Sequence, residues 1–98
     1  MRSIMQADRS YCYLCRKLRA DDFPKVTEEH HAIFGNGQRK LSEKYGLKVY
    51  LCIPHHRTGK EAVHQNREIA DIVKKDAQRA FERTYKESFQ EIFGRNYL

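Results

Sequence analysis

Tryptophan is absent from this sequence, proline occurs twice and cysteine three times. Six tyrosines and five phenylalanines are left to fill a core. No apolar run approaches the roughly 20 residues that a membrane-spanning helix needs. The first residues, MRSIMQADRS, hold no apolar stretch of the kind a signal peptide carries. The expected setting is therefore cytoplasmic, with no membrane partner. Disulfides are rare there, and an odd number of cysteines cannot all be paired. Internal repeats and low-complexity segments are also missing. A chain of 98 residues has room for one small domain, residues 1–98, and not for two. Such a domain buries a smaller share of its surface than a larger one, so a bound metal would add materially to its stability.

Charge, in contrast, is abundant. Nineteen Lys and Arg against 13 Asp and Glu leave a net charge of +6, a balance that raises the expectation of a polyanionic partner. All three cysteines fall in two short-spaced pairs, Cys12-x-x-Cys15 and Cys52-x-x-His55. Two thiolates from one tight turn, plus a thiolate and an imidazole from a second, make the donor set of a structural Zn²⁺ site. A C-x-x-C pair alone would also suit a redox motif, but no βαβ pattern surrounds this one. The metal would tie the N-terminal region to the centre of the domain.

Between and after these half-sites the pattern predicts an α+β order. Residues 9–22 hold the first knuckle and a charged loop, Arg16 to Asp22. Phe23-Pro24 marks a boundary, because proline restricts the residue before it to extended geometry. Val26 to Phe34 reads as a strand, broken by Gly35-Asn36-Gly37. Arg39 to Tyr45 reads as one or two helical turns, stopped by Gly46. Leu47 to Leu51 alternates with period two, placing Leu47, Val49 and Leu51 on its apolar face. Pro54 suits the first turn of a following helix, which Thr58-Gly59 interrupts. Residues 66–83 read as a helix with Ile69, Ile72, Val73, Ala77, Ala80 and Phe81 on one stripe. A second short helix over 85–93 groups Tyr85, Phe89, Ile92 and Phe93 and is stopped by Gly94. Residues 66–94 thus form a C-terminal helical brace.

The histidines outside the zinc set need their own account. Glu28-Glu29-His30-His31 lies on the first strand, His56 follows His55 directly, and His64 comes eight residues later. The order C-x-x-C, E-E-H-H, L-C-x-x-H-H resembles the HNH nucleases, the ββα-metal finger family. In particular it is similar to the small phage-type group related to RecA-dependent recombination-enhancement nucleases. The resemblance covers residues 12–64, and the tail Ile92-Phe93-Gly94-Arg95-Asn96-Tyr97-Leu98 is also similar to phage proteins of this kind. It implies a zinc-stapled ββα-metal finger followed by two helices. The implied activity is hydrolysis of DNA phosphodiester bonds in phage recombination or DNA processing, with a recombination protein as a further partner.

In that family a strand histidine is a general base, and a neighbouring residue plus a helix histidine hold a divalent ion. Carried over, one of His30 and His31 is the base, and the other, or Glu29, is a ligand to Mg²⁺, Mn²⁺ or a second Zn²⁺. His56 is a ligand, and His64 a further one if the chain turns at Thr58-Gly59. On an unbroken helix His64 would stand about 12 Å along the axis from His56, too far to share an ion. Asp-His members of the family align with Glu29-His30 and make His30 the base. His-His members align with His30-His31 and make His31 the base, the register favoured here. Successive side chains of a regular strand face opposite ways, so both reach one site only if the strand bends near Gly35 or carries a bulge. The family's histidine-orienting asparagine would fall near Leu47. Asn36 is the nearest substitute, and Gly-Asn-Gly is also ordinary turn chemistry. Arg39, Lys40, Lys44, Lys48, Arg57 and Lys60 lie near the site in sequence and are candidates for phosphate contacts without base readout. The competing expectations are a non-catalytic zinc-stapled nucleic-acid-binding module, and an adaptor that docks a partner through its C-terminal helices.

Overall fold

The computed structural model describes residues 1–98 and has an α+β architecture. The first element departs from expectation. Cys12 caps a helix α1, Tyr13–Arg19, its Sγ accepting the Cys15 N–H at 3.4 Å. The charged residues read as loop are helical because Arg16, Lys17 and Arg19 fall in the last turn, where cations meet the negative end of the helix dipole. Ala20, in left-handed conformation with φ 53°, ends the helix. The knuckle is held down by Gln6. Its Nε2 donates to the Asp8 and Tyr11 carbonyls at 2.9 Å, and its Oε1 accepts the Tyr50 N–H at 2.8 Å.

Strand β1 is Glu28–His31, shorter than the apolar run suggested, and Val26 is 82% exposed. It pairs antiparallel with β2, Lys48–Leu51, in the register Glu28↔Leu51, Glu29↔Tyr50, His30↔Val49, His31↔Lys48. Leu47, Val49 and Leu51 are fully buried, as their alternation requires. The strands are joined through helix α2, Gln38–Tyr45. Gly46 ends α2 at φ 72°, and a Cβ there would run into the Arg2 carbonyl, so only glycine serves at this stop.

After β2 the chain makes one wide helical turn, Pro54–Thr58, closed by the Gly59 N–H on the Pro54 carbonyl at 2.8 Å. It then doubles back, the Val63 N–H bonding to the His55 carbonyl at 2.8 Å. Helix α3, Arg67–Thr84, is capped by Asn66, whose Oδ1 accepts the Ile69 N–H. Its buried face carries Ile69, Val73, Ala77, Ala80 and Phe81, while Ile72 is only half-buried. Helix α4 is Phe89–Phe93, shorter than expected. Tyr85 stays outside it because its backbone is extended and its hydroxyl donates to the Tyr45 carbonyl at 2.9 Å. Phe81, wholly buried, meets the rings of Tyr45, Tyr85 and Phe89 at 5.0–5.5 Å. Burying one such side chain contributes about 1.5–3 kcal/mol, so this aromatic cluster fastens the C-terminal helices to α2. No helix is long and apolar enough to cross a membrane.

Candidate functional site

The two cysteine-bearing pairs converge. Cys12, Cys15, Cys52 and His55 are all buried. His55 Nδ1 lies 3.5, 3.3 and 3.4 Å from the sulfurs of Cys12, Cys15 and Cys52, and the Cys15 and Cys52 sulfurs are 3.8 Å apart. An ion bound tetrahedrally at usual zinc distances holds its donors about 3.5 Å (S–N) and about 3.8 Å (S–S) apart. The cluster could therefore hold a structural zinc. With Nδ1 turned to the sulfurs, His55 Nε2 faces Arg19 Nη1 at 3.4 Å and Glu61 Oε1 at 4.0 Å. Glu61 is itself paired with Arg19. Burial pushes the Cys15 thiol up to about 12 and the Cys52 thiol upward as well.

A second group, His30, His56 and His64, gathers on the far side of the helical turn. The break at Gly59 brings His64 back, its Nε2 standing 3.2 Å from His56 Nε2. The rings of His56 and His64 each lie 5.2 Å from that of His30. His56 Nδ1–H donates to Glu28 Oε1 at 2.8 Å, which fixes the tautomer and turns the Nε2 lone pair toward His64. Arg57 grips the same carboxylate at 3.1 and 2.7 Å. His30 Nε2 is buried without any hydrogen-bond partner. Burial, then the neighbouring His56 and His64, drive its pKa down to about 3, so the ring is neutral over the physiological range. Three imidazoles with ligand atoms within 4.8 Å of one another could hold a divalent transition metal. A carboxylate behind a ligating histidine tunes the ligand and holds its orientation. If this group holds an ion, Glu28→Gln is expected to weaken its binding about 10- to 100-fold. Calorimetric titration of zinc-loaded protein with Ni²⁺ checks this, and an unchanged affinity would remove Glu28 from the site.

His31 engages other partners. Its Nε2–H donates to Glu43 Oε1 at 2.8 Å, and Arg39 Nε donates to its Nδ1 at 3.3 Å. Strand alternation explains the division. Glu28 and His30 face the helical turn, whereas Glu29 and His31 face α2. Glu29 lies outside the three-histidine group, paired with Lys48 at 3.3 Å. Lys48, 5% exposed, also reaches Glu43 at 3.1 Å, so its ammonium is spent on two carboxylates and is not open to a phosphate. Glu43 is held down to about 2 by the N-terminal ammonium, His31 and Lys48. Both histidines nevertheless border one cleft of about 410 Å³, lined also by Phe34, Arg39, His56 and His64.

The remaining candidates are scattered. Arg39 is at the cleft, whereas Lys40 and Lys44 on α2 and Lys60 beside the cysteine cluster are exposed. Arg57 is occupied by Glu28. Asn36 is exposed in its turn and makes no hydrogen bond, and Leu47 is buried. Glu43 stands where an orienting residue is needed, and Glu28 behind His56. Neither role was read from sequence. Glu28 is the first residue of the E-E-H-H motif, but nothing local marks Glu43, which meets His31 only because α2 packs there. No protein-family model, curated protein or solved structure matches the chain.

Proposed function

We propose that the chain is a metal-dependent endonuclease of the ββα-metal (HNH) type, hydrolysing DNA phosphodiester bonds in phage or prophage recombination or DNA processing. The observation that carries this reading is one cleft bordered by two kinds of histidine. His30, His56 and His64 present converging lone pairs, and His31 is held by a carboxylate.

His30, His56 and His64 would hold the ion. When bound, it supplies charge neutralisation on the phosphate and on the leaving oxygen. His31, with its Nε2 hydrogen on Glu43, keeps Nδ1 as the acceptor for a proton from water. Glu43 fixes that tautomer and favours the imidazolium that forms, the role a carboxylate plays behind any histidine base. Arg39, now donating to His31 Nδ1, frees that lone pair when it turns to a substrate phosphate.

Supercoiled plasmid incubated with zinc-loaded protein and Zn²⁺, Ni²⁺, Mn²⁺ or Mg²⁺ tests the proposal. Cleavage is expected, faster with the imidazole-seeking metals than with Mg²⁺, which prefers oxygen donors. Equal inertness of wild type and the double variant His30→Ala/His31→Ala under every metal would end the enzyme reading. The uncontacted Asn36 favours a second reading, a non-catalytic zinc-stapled DNA-binding module. Salt-dependent binding without cleavage under any of the metals is its signature.

A further inference from the structure

Beyond the histidine cleft lies a polar groove of about 470 Å³ between α3 and the C-terminal segment. Its cations are Arg67, Lys74, Lys75 and Arg95, and its only carboxylate is Asp71. On α3, residues 67, 71, 74 and 75 fall on one helical face. Seven of the fifteen other cations on the chain are tied to carboxylates. Arg16 is paired with Asp22, Lys17 and Arg79 with Asp76, and Arg57 with Glu28. None of the four groove cations has a carboxylate within 4.0 Å.

Two features give this charge a fixed shape. Gln78, 3% exposed, donates from Nε2 to Asn96 Oδ1 and accepts the Tyr97 N–H at Oε1, both at 2.7 Å. Both ends of a buried amide thus clamp the C-terminal segment along α3 and keep Arg95 beside the groove. Lys74 then joins the groove to the cleft. Its Nζ stands 4.6 Å from the Phe34 ring centroid and 5.7 Å from that of Tyr97. Phe34 borders the cleft and packs on His30 and His64 at 5.5 and 5.4 Å, whereas Tyr97 lines the groove. An ammonium held by two rings, with no carboxylate of its own, is open to a phosphate oxygen.

We infer that this groove carries the phosphodiester backbone of the nucleic acid that flanks the histidine cleft, through Arg67, Lys74, Lys75 and Arg95. The inference rests on the nuclease reading for the identity of the polyanion. It adds to that reading a second binding surface on the C-terminal brace, away from the residues singled out by sequence. The contacts are ionic, so binding is strong in low salt and indifferent to base sequence.

The test is fluorescence anisotropy on zinc-loaded protein with a labelled duplex of arbitrary sequence, in a His31→Ala background that prevents turnover. The triple variant Arg67→Gln/Lys75→Gln/Arg95→Gln changes exposed side chains only, and Lys74 is left because it packs against two rings. The slope of log K against log salt is expected to shrink by about 2–3, since each phosphate contact contributes roughly 0.9. A comparison triple at the other end of α3, Arg79→Gln/Arg83→Gln/Lys86→Gln, is expected to change it by less than about 1. An unchanged slope in the groove triple, or an equal loss in the comparison triple, overturns the proposal. Hydrolysis of bis(4-nitrophenyl) phosphate, too small to reach the groove, is read separately with His31 in place. The groove triple retaining the wild-type rate supports a binding role. If no protein hydrolyses this ester or plasmid DNA, the nuclease reading fails while the slopes still decide the groove.

Discussion

Replacement of Cys15 by serine is expected to leave a chain that binds no zinc at the cysteine cluster and shows no cooperative melting. A strong chelator should do the same to the wild type. Structural zinc in small domains is worth about 10–16 kcal/mol of apparent binding free energy near neutral pH. The whole stability of a domain is about 5–15 kcal/mol. Cys12 caps α1 and Cys15 lies in its first turn, and Cys52 and His55 flank the junction of β2 with the helical turn. Losing the ion therefore disconnects the N-terminal region from the sheet and leaves four buried polar groups without their common partner. Elemental analysis and far-ultraviolet circular dichroism on heating check the outcome. A Cys15→Ser protein that melts as sharply as the wild type would show that the cluster is only a set of buried thiols.

The same site makes the fold sensitive to acid. The thiols must lose protons to bind the ion, and burial holds Cys15 up at about 12 when no ion is there, so chelation becomes easier as pH falls. His30 acts in the same direction. The unfolded chain takes up a proton there near the ordinary 6.5, whereas the folded chain refuses it down to about 3. Between those values the unfolded state binds more protons, so stability falls as pH drops below about 6.5.

The cysteine pairs were legible in the sequence because a metal half-site is a local spacing, and α3 because its apolar stripe, Ile69 to Phe81, repeats over about three and a half turns. Gly46 and Gly59 were also readable, since a left-handed stop and a broken helix leave residue signatures. Helix α1 was not readable. It is seven residues long, carries only Leu14 and Leu18 as an apolar pair at helical spacing and starts on a cysteine cap, an unusual residue for that position. The ends of β1 were misjudged because Val26 and Phe34 look like strand residues, yet pairing stops where β2 stops. Glu43 could not be assigned at all, because its meeting with His31 is tertiary. Lys48 misled for a related reason. A lysine in a strand reads as surface charge, and only packing shows that two carboxylates enclose it. The C-terminal brace reads from sequence only as packing helices, and it takes the folded chain to bring Arg67, Lys74 and Lys75 of α3 together with Arg95 around one groove.

Consecutive histidines on one strand should both be needed for hydrolysis but differ in metal binding. His31→Ala is expected to lower DNA hydrolysis by about 10²- to 10⁴-fold, the usual worth of a general base, while binding of the second metal is retained. His30→Ala is expected to abolish that binding, and hydrolysis with it, while the structural zinc stays. The assignment follows from side-chain surroundings. His30 is neutral and buried, with a lone pair that no protein group satisfies, beside two further imidazoles. His31 has one nitrogen on a carboxylate and the other toward the cleft, under Arg39. A ligand needs a lone pair converging with others, whereas a base needs an orienting partner and an accessible nitrogen. Titration of each zinc-loaded variant with Ni²⁺, beside plasmid cleavage, separates the two. A His31→Ala protein that cleaves at the wild-type rate, or a His30→Ala protein that binds Ni²⁺ with undiminished affinity, would reverse the register and make His30 the base, with Glu29 drawn in as its neighbour.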